Sequence, residues 1–212
     1  MAALLPFAAG CASLNRKEKG AAIGAGAGAV AGGVVGKVTG STVRGAIIGA
    51  VIGGAAGAII GHQMDQQAKE LAYELPGATV QRVGEGIAVT FPEGLLFAYD
   101  SEQILPAARQ ALTRFSASLA KYPQTRAMIV GHTDARGTAT YNQALSERRA
   151  QSAAAFIATE GIDRARLGTV GRGSTEPVAG NETDAGRHQN RRVEVAIYAD
   201  EAFRRQVKTG SR

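Results

Sequence analysis

Between Gly20 and Gly61 glycine returns at every fourth residue. One series is Gly20, Gly24, Gly28, Gly32, Gly36 and Gly40, and a second is Gly45, Gly49, Gly53, Gly57 and Gly61. A step of four places each series on one face of a helix. A glycine inside a helix costs roughly 1 kcal/mol against alanine, so eleven of them need a compensating interaction. Close backbone packing supplies one, through dispersion and weak Cα–H···O contacts, and does so best in lipid. The only charges between Ala21 and Gly61 are Lys37 and Arg44, beside the polar break Thr39-Gly40-Ser41-Thr42. The pattern predicts two apolar helices, Ala21–Val38 and Gly45–Gly61, packed antiparallel as a glycine-zipper hairpin over residues 20–61. A flexible linker would not keep the four-residue spacing. The uncharged runs of 16 and 17 residues fall short of the about 20 needed for a comfortable membrane span, although Lys37 and Arg44 could snorkel at the turn. A hairpin in lipid and a soluble zipper packed on itself both satisfy the pattern, and the glycine faces could also join copies into a homo-oligomer.

After Gly61 the periodicity changes. Met64, Ala68, Leu71 and Leu75 form a helical stripe that Pro76-Gly77 stops, so residues 62–77 read as a helical linker ending at a domain boundary. Residues 78–200 read as one α/β domain. Thr79 to Phe91 alternates and turns at Gly84-Glu85-Gly86, a β-hairpin. A helix opens at Pro106 and carries Leu105, Ala108, Leu112, Phe115 and Leu119 to Tyr122-Pro123. Strands follow at Gln124–Val130, Arg166–Val170 and Val193–Tyr198, the last apolar at 193, 195 and 197, with a polar loop from Gly171 to Gln189. This order predicts a mixed sheet with helices on one face. Residues 201–212 read as a basic, frayed tail.

The stretch Val130 to Ala150, VGHTDARGTATYNQALSERRA, holds the chemistry. A strand end turns through Gly131, His132, Thr133, Asp134 and Arg136-Gly137 into a helix running to about Glu160, with Thr138, Thr140 and Asn142 as candidate N-cap oxygens. Arg149 falls on the apolar stripe of that helix between Leu145 and Ala153, where a charge needs a partner. Asp134 is a candidate carboxylate. The two could simply satisfy each other as an ion pair, or could together take a ligand bearing an ammonium and a carboxylate.

The run GHTD–ARG–YNQALSERRA resembles the peptidoglycan-binding domain of the OmpA family, and two further blocks share the resemblance: Leu96-Phe97-Ala98-Tyr99-Asp100-Ser101 and Asn190-Arg191-Arg192-Val193-Glu194-Val195. The blocks stand in the family's order between Thr79 and Ala199. The resemblance implies non-covalent binding of peptidoglycan, with Asp134 and Arg149 holding the zwitterionic end of diaminopimelate in the stem peptide. Thr133, Asn142 and Leu145 are expected as supporting wall residues, with Arg192 a further candidate.

Residues 1–10, MAALLPFAAG, are apolar and end in small residues before Cys11, the single cysteine of the chain. Ala-Ala-Gly-Cys resembles the cleavage site of bacterial lipoproteins, in which the cysteine is acylated. Ala8 stands where leucine is commoner, and no Lys or Arg precedes the apolar run, which fits either a start further upstream or a trimmed leader. Residues 11–19 form a short polar spacer. Ala12 and Ser13 follow the cysteine without an aspartate, which by the lipoprotein rule points to the outer membrane.

Other classes fit less well. The net charge of +6 would suit nucleic acid, but aromatics are 5% of residues and do not interleave with arginine, so a polyanionic wall or anionic lipid is the better partner. His62, His132 and His188 lack metal-ligand spacing with each other or with Cys11. His132-x-Asp134 and Ser146 mimic a base and nucleophile, yet no nucleophile elbow or phosphate loop is present, so neither catalysis nor a cofactor is expected. An ion-conducting stator would need a membrane carboxylate, and none lies between Ala21 and Gly61. The expectation is an outer-membrane lipoprotein whose periplasmic domain tethers that membrane to the wall. The alternative is an assembly factor or chaperone-like lipoprotein in which the zipper oligomerises and wall binding only localises it.

Overall fold

Alternating apolar residues build the centre of the molecule. The computed structural model describes residues 40–210. Five strands, β1 (Thr79–Val83), β2 (Gly86–Pro92), β3 (Thr125–His132), β4 (Leu167–Gly171) and β5 (Arg192–Ala199), form one sheet in the order β1-β2-β5-β3-β4. β3 and β4 are parallel and every other neighbouring pair is antiparallel. Among the described residues the helices are α1 (Thr42–Ile48), α2 (Gly54–Glu74), α3 (Glu93–Leu96), α4 (Pro106–Lys121), α5 (Ala139–Thr159), α6 (Asp184–Asn190) and α7 (Glu201–Gly210), with a 3-10 turn at Arg164–Arg166.

Strand side chains alternate between faces. Ile87, Val89 and Phe91 of β2, Ala127 and Ile129 of β3, and Val193, Val195 and Ile197 of β5 bury one face. They meet Leu112, Phe115 and Leu119 of α4, Ala150, Ala153 and Ile157 of α5, and Ile60, Met64, Ala68 and Leu71 of α2. Phe91 and Phe115 meet edge to face with centroids 5.9 Å apart. The mixed α/β architecture read from the sequence is therefore the observed one.

The front of the domain differs from the sequence expectation. The stripe Met64–Leu75 does not link two units: it closes the core, with Met64 and Leu71 fully buried. The core therefore crosses Pro76-Gly77 without interruption. Nor does Gly45–Gly61 form one helix. α1 stops at Ile48, and α2 starts only at Gly54 after Gly53 at φ 68°, ψ −179° and Gly54 at φ 65°. Such backbone angles are nearly closed to residues with a β-carbon. The break lets the chain wrap around the β1–β2 turn. Glu85 of that turn accepts from the backbone N–H of Ile52 at 2.9 Å and of Gly53 at 2.7 Å.

In consequence α1 lies on the sheet face opposite the main helices, a placement that "helices on one face" did not foresee. Val43, Ala46, Ile47 and Ala50 cover Val130, Ala196 and Tyr198 there. Its first residue, Thr42, is clasped by Glu176, which accepts from the Thr42 hydroxyl at 2.6 Å and from its N–H at 3.0 Å, and by Arg172. The hairpin partner Ala21–Val38 lies outside the described residues, as does Cys11. Among the described residues no helix is long and apolar enough to cross a membrane.

Two other loops are more ordered than their composition implied. The polar loop Gly171–Gln189 contains α6, capped by Thr183. The basic tail forms α7, which buries Val207 and packs against α2.

Candidate functional site

Three strand ends meet beneath one helix. Phe91 of β2 pairs with Val193 of β5. One rung further, on the same face by alternation, Glu93 stands opposite Arg191, and the Glu93 N–H donates to the Arg191 carbonyl at 3.0 Å. β3 ends beside them at His132, and Asp134 follows in the turn. α5 begins at its N-cap Thr138, whose hydroxyl accepts from the Tyr141 N–H, and carries Arg149 down over the strand ends. It can lie this close because residue 131 is glycine: a β-carbon there would come within 2.1 Å of the Ser146 carbonyl oxygen.

Asp134 and Arg149 are 4% and 2% exposed, and among the described hydrogen bonds they do not bind each other. Arg149 donates through Nη2 to Glu93 Oε1 and through Nε to the Ser101 carbonyl at 2.8 Å. The other Glu93 oxygen accepts from Arg191 Nε at 2.5 Å, and Arg191 Nη1 donates to Asp134 Oδ2 at 2.7 Å. Asp134 Oδ1 accepts from the Arg136 N–H at 2.9 Å. The result is a chain of alternating charge, Asp134–Arg191–Glu93–Arg149. Burial works against the Arg191 cation, but hydrogen bonds to Asp134 and Glu93 outweigh it and hold its pKa above the ordinary guanidinium value.

Aromatic rings frame the arginines. The Arg149 guanidinium carbon lies 5.6 Å from the Phe97 ring centre and that of Arg191 lies 5.5 Å from Tyr99. Tyr99 and Tyr141 are exposed, and the Tyr141 hydroxyl donates to Asp100 Oδ1 at 2.7 Å.

The supporting residues serve the turn. Thr133 donates its N–H to the Gly173 carbonyl and its hydroxyl to the Asp134 carbonyl, each at 2.9 Å. Asn142 Nδ2 donates to the carbonyls of Arg136 at 2.9 Å and Asp134 at 3.3 Å. Leu145 is buried on the inner face of α5.

Arg192 does not join them. Being even-numbered in β5, it projects from the opposite sheet face, where Nε donates to Glu194 Oε1 at 2.8 Å and Nη2 to the Glu176 carbonyl at 3.0 Å. His132 shares that face, 1% exposed and with Nε2 3.6 Å from Glu194 Oε2. Burial lowers its pKa below 6.5, against the pull of Glu194. Burial pushes the Glu194 carboxyl up, but His132 and Arg192 more than offset this and hold it at about 2. Ser146 lies on the helix side, its hydroxyl donating to the Gln143 carbonyl and accepting from the Gly173 N–H. The fold thus keeps the imidazole and the hydroxyl on opposite sides of the sheet. Among the described residues no group of three or more His, Cys, Asp or Glu could hold a metal ion.

Glu93 and Arg191 are functional candidates that motif reasoning passed over. The signal was available. The alternation that buries Ile87, Val89 and Phe91, and Val193, Val195 and Ile197, reaches Glu93 and Arg191 in its next step.

Comparison with known proteins places this geometry in context. The OmpA family model matches residues 96–191, and a YMGG-like Gly-zipper model matches residues 1–65. The chain is similar to the probable lipoprotein YiaD of Escherichia coli (strain K12), 37% identical over 121 residues, which are 57% of this chain and 55% of YiaD. It therefore spans about half the length of curated relatives such as this one. The peptidoglycan-associated lipoprotein of Brucella melitensis biotype 1 is 36% identical over 121 residues, 57% of this chain and 72% of that protein. Among solved structures, the cell wall anchor of the T6SS from Pseudomonas aeruginosa superposes with a TM-score of 0.57 at 34% identity, covering 63% of this chain and 97% of that one.

Proposed function

The chain belongs to the OmpA family, and on that footing we propose that it binds peptidoglycan non-covalently and tethers the outer membrane to the wall. The observation that carries this reading is the chain of four alternating charges, three buried and Arg191 half-buried, which ends in Asp134 on one side and Arg149 on the other. Among the described hydrogen bonds, Arg149 Nη1 and Arg191 Nη2 take no protein acceptor. These donors suit an incoming carboxylate, and Asp134 suits an ammonium, so the ligand is the zwitterionic end of a stem-peptide residue such as diaminopimelate. Charge-assisted hydrogen bonds are worth about 1.5–3 kcal/mol each, so losing one should weaken binding by roughly tenfold or more.

The test is sedimentation of the protein with isolated sacculi. The wild type should pellet, and free diaminopimelate should release it. Asp134→Ala and Arg149→Ala should stay in the supernatant while keeping the far-ultraviolet circular dichroism of the wild type, because each removes an end of the charge chain and leaves Glu93 and Arg191 paired. If both variants pellet normally the site is wrong. A lowered thermal midpoint for Asp134→Ala with pelleting unchanged would make its contacts purely structural.

Acylation of Cys11 is the membrane half of the proposal, with the domain in the periplasm. Acyl chains contribute about 0.8 kcal/mol per buried CH₂ and two signals make anchoring firm, so Cys11→Ala should move much of the protein to the soluble fraction. Absence of labelled palmitate on the wild type would remove this half. The alternative is an oligomerising assembly factor, for which Gly57 is already occupied by Glu85 of the same domain.

A further inference from the structure

We propose that Glu93 is a positioning residue that sets the charge selectivity of the wall site, admitting a net-neutral amino-acid end and refusing a bare carboxylate. This rests on the reading of Asp134 and Arg149 as that site. Glu93 is 5% exposed, and both its oxygens are engaged by guanidinium groups, one from α5 and one from Arg191, just ahead of β5. Its position is dictated by the strands: it is the next same-face residue after Phe91, with its N–H donating to the Arg191 carbonyl. Each arginine is thereby pinned twice, Arg149 between Glu93 and the Ser101 carbonyl, Arg191 between Glu93 and Asp134. The unspent donors are aimed as a consequence.

The charges cancel: Arg149 and Arg191 against Glu93 and Asp134 sum to zero. A buried site that is already neutral is penalised by a ligand that brings one uncompensated charge, because an unpaired buried ion is costly. A zwitterion brings one of each sign and leaves the balance at zero. Without the Glu93 carboxylate the cluster would carry +1, and a plain carboxylate would then restore neutrality. The internal anion holds the place that a simple anion would otherwise take.

The experiment uses the whole chain and two probes with one carbon skeleton, meso-diaminopimelate and pimelate, which lacks both amino groups. Binding is read as the rise in thermal midpoint with probe concentration. The wild type should respond to diaminopimelate and not to pimelate. Glu93→Gln should gain a response to pimelate, shifting the preference by roughly tenfold or more. The double variant Glu93→Gln/Arg191→Gln, again neutral, should return to refusing pimelate. Glu93→Gln with wild-type selectivity overturns the proposal. Should Glu93→Gln fail to fold, the double variant carries the test, and its binding of pimelate overturns the proposal equally. A wild type that binds neither diaminopimelate nor sacculi overturns the wall-site reading instead. The gain of pimelate binding in Glu93→Gln is measured independently of that outcome.

Discussion

Two buried charges, Asp134 and Arg149, avoid the cost of isolation because Arg191 and Glu93 stand between them. Each ion has a counter-ion at hydrogen-bond distance, the condition under which charges are tolerated in a protein interior. His132 is held differently. It faces Glu194, Arg192 and Glu176 on the other side of the sheet, and burial keeps it neutral. An unfolded chain takes up a proton at histidine as pH falls below about 6.5, and the folded one does so only at its lower pKa. Stability is therefore full above that pH and is lost as pH falls toward the lowered value, by up to about 1.4 kcal/mol per pH unit. Glu194 adds a separate limb: its stabilisation is complete above 4.5 and fades as pH falls toward about 2. Thermal midpoints measured from pH 8 to pH 5 should fall for the wild type and stay level for His132→Leu. A slope that survives the substitution assigns the acid sensitivity to another group.

At the scale of elements, α1 and the second face of the sheet make the least expected contact. A glycine every fourth residue signals close approach, but in the second series the reasons differ from one glycine to the next. Gly57 makes room for Glu85, whereas a β-carbon on Gly53 would meet nothing within 4 Å. Gly53 is needed for its backbone angles. Substitution there should cost about 1–3 kcal/mol of strain whatever the side chain. Gly53→Ala and Gly53→Leu should therefore destabilise α1 docking equally, as read from hydrogen exchange of the α1 amides. A much larger effect from leucine would restore the packing-face interpretation. Thr42 is clasped by Glu176, whose carbonyl also holds Arg192, so α1 enters at the same end of the sheet as the charge chain.

For the whole molecule, the consequence is that the folded domain begins well before Pro76. α2 and its C-cap fill the core with Ile60, Met64, Leu71 and Leu75, each 0–1% exposed. Removing even one such side chain typically costs about 2–5 kcal/mol. The chain from Pro76 to Arg212 should consequently lack a cooperative unfolding transition, whereas the chain from Gly40 should show one. Calorimetry of the two checks this, and a sharp transition in the shorter chain would make α2 dispensable. A pull on the chain ahead of Thr42 is therefore borne first by α1 and its clasp, not by a loose linker in front of the core.

Local periodicity made much of this legible. Alternation in Ile87–Phe91 and Val193–Ile197 named the buried face of the sheet. The stripe Leu112–Phe115–Leu119 and the candidate caps Thr138, Thr140 and Asn142 marked two helices, of which Thr138 is the cap used, and Asp134 and Arg149 stood out as charges in a turn and on an apolar stripe. Each of these is a statement about which side of an element is buried, and the sequence carries it residue by residue. What an element is buried against is not written locally. An unpaired Arg149 announces that a partner is required, but only the sheet register brings up Glu93, 56 residues away, and Arg191, 98 residues from Glu93. Alternation likewise separates Arg191 from Arg192, though only the paired strands show which of them meets Asp134. Glycine spacing states that something comes close, and has no side chain with which to say what. Tertiary structure decided that the second series would bend around a hairpin turn at Glu85 and close the domain, because burying two faces of one sheet outweighs keeping a single straight helix.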